Sequence, residues 1–429
     1  MKRAIFKTLG CKLNQAETTQ IAEIMRSAGI AEDVHNDVDA VDLIFVNTCA
    51  VTSKAAAKSR HLLSKMIRQY PNAVVIAAGC LAQMNAESLL AIRGVDYILG
   101  TASRFSTEWW IGKPDVPIVK VDNNVNHVRS AVEVGRPERS RPYLKIQDGC
   151  EQACSYCIIP QLRGSNRSVE RADVLTMACS LIDSGVQEIV LTGVRIGSWG
   201  SDIGESDGLS SLVDELTRIP GSFRIRLGSI EPWEITDDLI TLVTTNEKVC
   251  SHLHVPFQHT EARLLEMMGR PDPVNTIERL CSLKSDYPDM ALGIDLIAGF
   301  PGETEVEFNN LIAKVEEMPV NYLHAFGFSP RPGTPAVKMR NQVHQHTIKE
   351  RVARLINTGR GKRREFLASQ ANRIMTVIPD RSNKEDEWIP AVSDNYIKVH
   401  IKKSEVQIGR FLRIKMTLDS ASFPVGFCV

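Results

Sequence analysis

Short apolar runs alternate with stretches of helical periodicity through the first hundred residues. RAIFKTL precedes a helical Gln15–Ser27, VDLIFV precedes Thr52–Gln69, AVVIAA precedes Asn85–Arg93, and DYIL closes the series. Strands alternating with helices build a parallel sheet joined by right-handed crossovers. Residues 1–112 are therefore expected to form a doubly wound α/β domain. From about Asp122 to Arg141 the chain is polar and charged, with Pro137 and Pro142 marking irregular backbone, and it reads as a linker.

A second alternating series follows. Its strand candidates are 143–147, 188–192, 223–229, 252–255, 291–299 and 321–328, with helical patterns between them. Six β/α units fall short of the eight that close a barrel, so residues 136–366 are expected to form a partial barrel. From Ile374 the texture changes to short β-rich runs broken by polar turns: IMTVIP, WIPAVS, YIKVHI and FLRIKMT. This predicts a small antiparallel β-barrel over 370–429, of a kind that often binds oligonucleotides. A β-rich appendage with packing duties alone has the same pattern. The fold class is α/β: an N-terminal doubly wound parallel sheet, a central partial (β/α)6 barrel and a small C-terminal antiparallel β-barrel.

Composition adds little, since 43% hydrophobic and 24% charged residues in 429 are ordinary for a globular chain. Formal net charge is zero, so attraction to nucleic acid has to come from local patches. One candidate is Lys349–Arg364, where Lys349, Arg351, Arg354, Arg360, Lys362, Arg363 and Arg364 crowd one helical stretch. A solvated helix face explains it equally well. The opening MKRAIFKTLG runs straight into strand-like alternation, and no apolar run reaches membrane-spanning length, which predicts a cytoplasmic protein. Ten cysteines in a reducing compartment are poor disulfide candidates, so organised spacing points to metal ligands or catalytic thiols.

Two sets of three stand out. DGCEQACSYCIIP places Cys150, Cys154 and Cys157 in the loop after the first barrel strand, where barrel-type sheets carry their reactive groups. Zinc would call for a fourth Cys or His nearby, and the flanks supply none. Three thiolates can hold three irons of a 4Fe–4S cluster and leave the fourth open, able to chelate the amino and carboxylate groups of S-adenosylmethionine. Cys11, Cys49 and Cys80 are far apart, yet each follows a parallel strand: KTLGC, FVNTC and AAGC. The carboxyl ends of parallel strands share one edge, so the three are expected to converge there on a second cluster. A lone cysteine at a strand end is often only a small buried hydrophobe, and Cys179, Cys250, Cys281 and Cys428 are read as core or incidental.

The C-x3-C-x2-C loop resembles the signature of the radical-SAM superfamily. That resemblance implies cofactor contacts from Tyr156, from Thr192 and Gly193 ending the second strand, from Ser229 and Glu231 in LGSIEP, and from Gly299 in GIDLIAGFPGE. With both triads, TLGCKLNQAET, VNTCAVT, AGCLAQ, LTGVRIGSWG, IEPWEI, GFPGET and FSPRPGTPA follow the order of the methylthiotransferase family over almost the whole length. TLGCKLNQAE and QDGC resemble most closely the branch acting on N6-threonylcarbamoyladenosine in the tRNA anticodon loop. Residues 258–270, Gly228 and the terminal barrel depart from the family pattern. The resemblance implies two 4Fe–4S clusters and S-adenosylmethionine as cofactors. It implies a tRNA anticodon loop, an external one-electron reductant and a sulfur donor as partners of a monomer. Arg363, Arg364 and the terminal barrel, the family's TRAM domain, would meet the RNA, with Trp199 or Tyr396 as stacking candidates. The same chemistry on isopentenyladenosine or on a ribosomal-protein aspartate, and a non-catalytic iron–sulfur carrier, are the competing readings.

Overall fold

The computed structural model describes residues 2–32, 40–106, 112–122, 139–205, 207–382, 386–419 and 423–429. Most of the expected linker, 123–138, lies outside the described residues. The chain divides into two compact units. One contains Met1–Gly135, Lys145–Met177 and Ser329–Val337, and the other Arg136–Leu144, Ala178–Phe328 and Lys338–Val429.

The first unit is built on β1 (Lys2–Thr8), α1 (Lys12–Ser27), β2 (Ile30–Glu32), β3 (Leu43–Thr48), α2 (Ser53–Gln69), β4 (Val74–Gly79), α3 (Cys80–Met84), α4 (Glu87–Leu90), β5 (Tyr97–Leu99) and β6 (Ile118–Lys120). The strands form one sheet in the order β2-β1-β3-β4-β5-β6, every pair parallel. β3 is buried along its whole length, as a strand covered on both faces must be. Ile44 and Val46 pack with Leu63 and Met66 of α2, while Phe45 points the other way, toward Ile21 and Met25 of α1. The Thr52 side chain starts α2 by accepting the Ala55 N–H at 3.1 Å, satisfying one of the free amides of the first turn. The strand order reverses between β1 and β3, which makes that point the crevice where doubly wound sheets bind ligands. The three-residue strands β2 and β6 lie outside the sequence expectation, being too short to register as a period.

This unit also holds the end of β7 (Tyr143–Asp148), followed by α5 (Ile159–Arg163) and β8 (Arg167–Ser168). β8 returns antiparallel against β7, Ser168 opposite Gln147 and Arg167 opposite Asp148. Ile158 and Leu162 of this segment sit in the core with α2 and β4. Helix α6 (Arg171–Asp183) leads on.

The second unit continues with β9 (Glu188–Gly193), α7 (Gly208–Thr217), β10 (Arg224–Arg226), α8 (Asp237–Thr245), β11 (His252–Gln258), α9 (Ala262–Met268), α10 (Val274–Asp286), β12 (Ala291–Ala298), α11 (Glu305–Glu317), β13 (Tyr322–Gly327) and α12 (Gln345–Gln370). β9 and β10 pair in parallel, as do β11, β12 and β13. Parallel bridges at Ile225–Val249 and Ser229–His254 join the two sets. With the start of β7, six parallel strands make the partial (β/α)6 barrel.

The remaining strands, β14 (Ile374–Pro379), β15 (Trp388–Ser393), β16 (Lys398–Lys402), β17 (Leu412–Leu418) and β18 (Pro424–Cys428), close into a barrel in the order β14-β15-β16-β18-β17. Val377, Ile389, Val399, Ile401, Ile414 and Met416 fill it. One seam departs from the antiparallel expectation: β16 and β18 run parallel, His400 opposite Val425. β18 itself goes unannounced, because Pro424 and Gly426 mask its pattern. The barrel docks on the partial barrel through charge. Glu188 receives Arg224 and Arg226 at 2.7 and 2.8 Å, and these arginines donate onward to the carbonyls of Thr376, Val392, Ser393 and Asp394.

Candidate metal and cofactor sites

Each cysteine of the first set stands where its strand ends. Cys11 is the residue before α1, Cys49 follows β3 directly, and Cys80 opens α3. β1, β3 and β4 are consecutive in the sheet, so the three lie on one edge, beside the point where strand order reverses. Gly10 has φ +104°, and a Cβ there would come within 2.9 Å of Cys49 Sγ. A side chain at this position would fill the space that brings β1 against Cys49. Burial pushes the Cys49 thiol up to about 11, and repulsion from Cys80 and Cys11 adds to it. Burial also raises Cys80, while Arg163 and Arg104 pull it back. Among the described residues the three sulfurs do not close within 4.8 Å of one another. Ligands of a single ion converge in that way, whereas thiolates serving three different irons need not.

Below Cys80 lies a buried charge network. Glu17 on α1 is paired with Arg104 at 2.6 Å, Arg163 at 2.9 Å and Lys145 at 3.0 Å. Asp148 takes Lys145 at 2.7 Å and Arg163 at 2.9 Å. Arg163 also donates to Asn14 Oδ1 at 2.8 Å and to Cys80 Sγ at 3.7 Å. Asn14 in turn donates to the carbonyls of Leu9 and Thr48, one residue or two before the strand-end cysteines. None of these polar residues was singled out in the sequence, because nothing in its local pattern distinguishes a buried Glu on an amphipathic helix from an exposed one.

The second set sits in the loop between β7 and α5. Cys150, Cys154 and Cys157 are all half-buried, unlike buried Cys49 and Cys80. Cys150 N–H donates to Gly164 O at 2.9 Å, and Cys157 N–H to Cys154 O at 3.0 Å. Gly149 has φ +69°, and a Cβ on it would lie 1.8 Å from the Ser165 carbonyl oxygen, so the loop requires glycine here. Tyr156 is half-buried beside Cys157.

In the second unit, Thr192 and Gly193 end β9, with Thr192 4% exposed. Ser229 bridges to His254 of β11. Glu231 is paired with Arg270, whose guanidinium also donates to Pro256 O at 2.6 Å and lies 4.9 Å from the Trp233 ring. The divergent 258–270 stretch therefore supplies the partner of Glu231. Gly299 N–H is accepted by buried Glu303, which is held by Arg351 at 2.7 Å and faces His259 at 3.2 Å. Trp199 is 1% exposed and packs in the core. Arg363 leans on the Tyr396 carbonyl at 3.4 Å, and Arg364 is exposed. A polar group absent from the sequence reading occupies adjacent barrel strands, where Asp295 accepts His254 at 2.9 Å and His324 at 3.0 Å. Burial works to raise its carboxyl, but the two imidazoles hold it well below the ordinary carboxylate range.

Among the described residues no helix is long and apolar enough to cross a membrane. The model of the uncharacterized protein family UPF0004 matches residues 3–100, and that of the radical SAM superfamily matches residues 144–315. The threonylcarbamoyladenosine tRNA methylthiotransferase MtaB of Bacillus subtilis is 36% identical over 97% of this chain and 94% of its own. A protein of the same name in Aquifex aeolicus is 30% identical over 96% and 99%. The tRNA-2-methylthio-N(6)-dimethylallyladenosine synthase of Acetivibrio thermocellus is 33% identical over 89% and 81%. Among solved structures, the radical S-adenosylmethionine methyltransferase TsrM of Kitasatospora setae has a TM-score of 0.52 at 16% identity, over 78% of this chain and 77% of that one. The cobalamin-dependent radical enzyme OxsB has a TM-score of 0.52 at 10% identity, over 86% and 56%. These two share the fold.

Proposed function

The chain belongs to the radical-SAM methylthiotransferases, enzymes of an iron–sulfur cluster and S-adenosylmethionine, and from that membership we propose that it transfers a methylthio group to carbon 2 of N6-threonylcarbamoyladenosine at position 37 of the tRNA anticodon loop. Relatives named for that nucleoside align over nearly the whole chain. The observation that carries the reading is the placement of two cysteine triads in one compact unit, with Arg163 following one triad and reaching Cys80 of the other.

Cys150, Cys154 and Cys157 hold one 4Fe–4S cluster, and Cys11, Cys49 and Cys80 hold a second. Carbon 2 of adenosine is neither acidic nor electrophilic, so the bound clusters and S-adenosylmethionine supply the one-electron and sulfur chemistry that side chains lack. Tyr156, Thr192, Gly193, Ser229, Glu231 and Gly299 bind and orient S-adenosylmethionine. Arg270 keeps Glu231 in place, and Glu303 closes the loop that begins at Gly299. Arg363, Arg364 and the terminal TRAM-like barrel meet RNA phosphates and set register. The target base is splayed from its single-stranded loop, as sequence-specific RNA recognition generally requires. Residues 1–112, 136–366 and 370–429 divide these duties in a cytoplasmic monomer served by an external one-electron reductant and a sulfur donor.

Nucleoside mass spectrometry of tRNA from cells lacking the gene, complemented with wild type or with Cys11→Ala, Cys49→Ala and Cys80→Ala together, tests the reading. Loss of 2-methylthio-N6-threonylcarbamoyladenosine, restored by wild type alone, is expected. Loss of only the isopentenyl analogue would transfer the activity to the nucleoside of the Acetivibrio relative. Restoration by the triple variant would remove the second cluster from the reaction.

A further inference from the structure

The buried network beneath Cys80 is unbalanced. Among the described residues, Arg104, Arg163 and Lys145 face two carboxylates, Glu17 and Asp148, three cations against two, and the side chains of Arg104, Arg163 and Glu17 are at most 1% exposed. Arg167, 3.8 Å from Asp148, adds to the excess. A surplus charge at this depth is costly unless an anion stands beside it. The network reaches sulfur through Arg163, whose Nη2 donates to Cys80 Sγ at 3.7 Å while the same guanidinium grips Glu17, Asp148 and Asn14. Three thiolates on a cluster carry the missing negative charge.

Resting on the two-cluster reading, we infer that Arg163 is a positioning residue that raises the reduction potential of the centre held by Cys11, Cys49 and Cys80. Reduction adds negative charge to a cluster, and a cationic N–H aimed at a ligand sulfur favours the reduced state. Cluster potentials follow net charge and hydrogen bonds to the sulfurs. The guanidinium cannot drift from its target, because two carboxylates and Asn14 fix it at four contacts. The same segment also serves the other triad. Gly164 O, one residue on, accepts the Cys150 N–H at 2.9 Å, and Arg163 O accepts Arg167 Nη2 at 2.6 Å. The backbone that aims the charge at Cys80 thus closes the loop carrying Cys150, Cys154 and Cys157.

The test is a redox titration followed by electron paramagnetic resonance. It uses the full chain with Cys150, Cys154 and Cys157 changed to Ala, reconstituted anaerobically, so that one centre is observed. Arg163→Met leaves Arg104 and Lys145 to balance Glu17 and Asp148, and the midpoint is expected to move negative by about 59 mV or more, a tenfold change in the one-electron equilibrium. Arg163→Lys, which keeps the charge, is expected to move it less. Glu17→Gln leaves the cations less neutralised and is expected to move it positive. A purely structural role for Arg163 would not produce opposite signs from these two substitutions. Midpoints for Arg163→Met and Glu17→Gln that both stay at the wild-type value, or move the same way, overturn the inference. Should Arg163→Met fail to take up iron, Glu17→Gln decides alone, a positive shift supporting and no shift overturning. If the three-alanine background itself binds no cluster, the two-cluster reading is what fails.

Discussion

Glu17 is a carboxylate with no exposed surface, kept ionised by Arg104, Arg163 and Lys145. Burial works to raise its carboxyl, but the three cations outweigh burial and hold it at about 2 against an ordinary 4.5. A group depressed in the fold contributes stability that is complete above its unfolded value and is lost as pH falls through its folded one. The contribution of Glu17 is therefore full above about pH 4.5 and fades toward pH 2, and its size is on the order of 3 kcal/mol. Denaturant unfolding of wild type and Glu17→Gln at several pH values checks this. The variant should be less stable at neutral pH, and the gap between the two proteins should narrow as the solution is acidified below pH 4.5. A gap independent of pH would show that Glu17 acts by packing alone.

At the scale of elements, α12 illustrates how a charge run divides once it is folded. Its 26 residues carry the basic stretch, but one side of the helix faces protein. Arg351 pairs with Glu303 and Glu305, and Arg354 with Glu305 at 3.0 Å. Lys362 donates to the Met318 carbonyl at 2.9 Å. Arg363 is drawn onto Tyr396, where burial lowers its pKa. Arg364 is left on the exposed side. Arg364→Glu should weaken tRNA binding and reduce the slope of log affinity against log salt by roughly one, measured by filter binding or anisotropy across a salt series. The substitution should leave thermal stability unchanged within about 0.5 kcal/mol, since exposed substitutions rarely cost more. Unaltered affinity would remove this end of the helix from the RNA surface.

At the scale of the whole molecule, the two triads predict a count. The reconstituted full chain should carry about eight irons, and either triple-alanine set about four, read by iron and acid-labile sulfide analysis. A chain that loses all its iron when Cys150, Cys154 and Cys157 alone are replaced would hold one cluster.

The long strands and the helices were legible because their side chains are sorted by a period the sequence carries. β3 and β4 read as unbroken apolar runs, and the barrel strands fall within a few residues of their expected places. What escaped was short or disguised: β2 and β6 at three residues each, β8 at two, and β18 behind its proline and glycine. The cysteines were legible for two different reasons. Cys150, Cys154 and Cys157 lie within one loop, so chain spacing alone nearly determines their geometry. Cys11, Cys49 and Cys80 become neighbours through strand order, which alternation predicted in kind.

The sequence by itself determined the three-part α/β architecture, the six candidate ligands and the family whose motifs surround them, because local periodicity and local spacing are written along the chain. Only the tertiary structure decided that Glu17, Arg104, Lys145, Asp148 and Arg163 meet under Cys80, and that Asp295 joins His254 and His324. Apart from Lys145 and Asp148, which share β7, these residues come from separate elements. Long-range charge pairing depends on which faces pack together, and that is settled when the core forms rather than by any neighbouring residue.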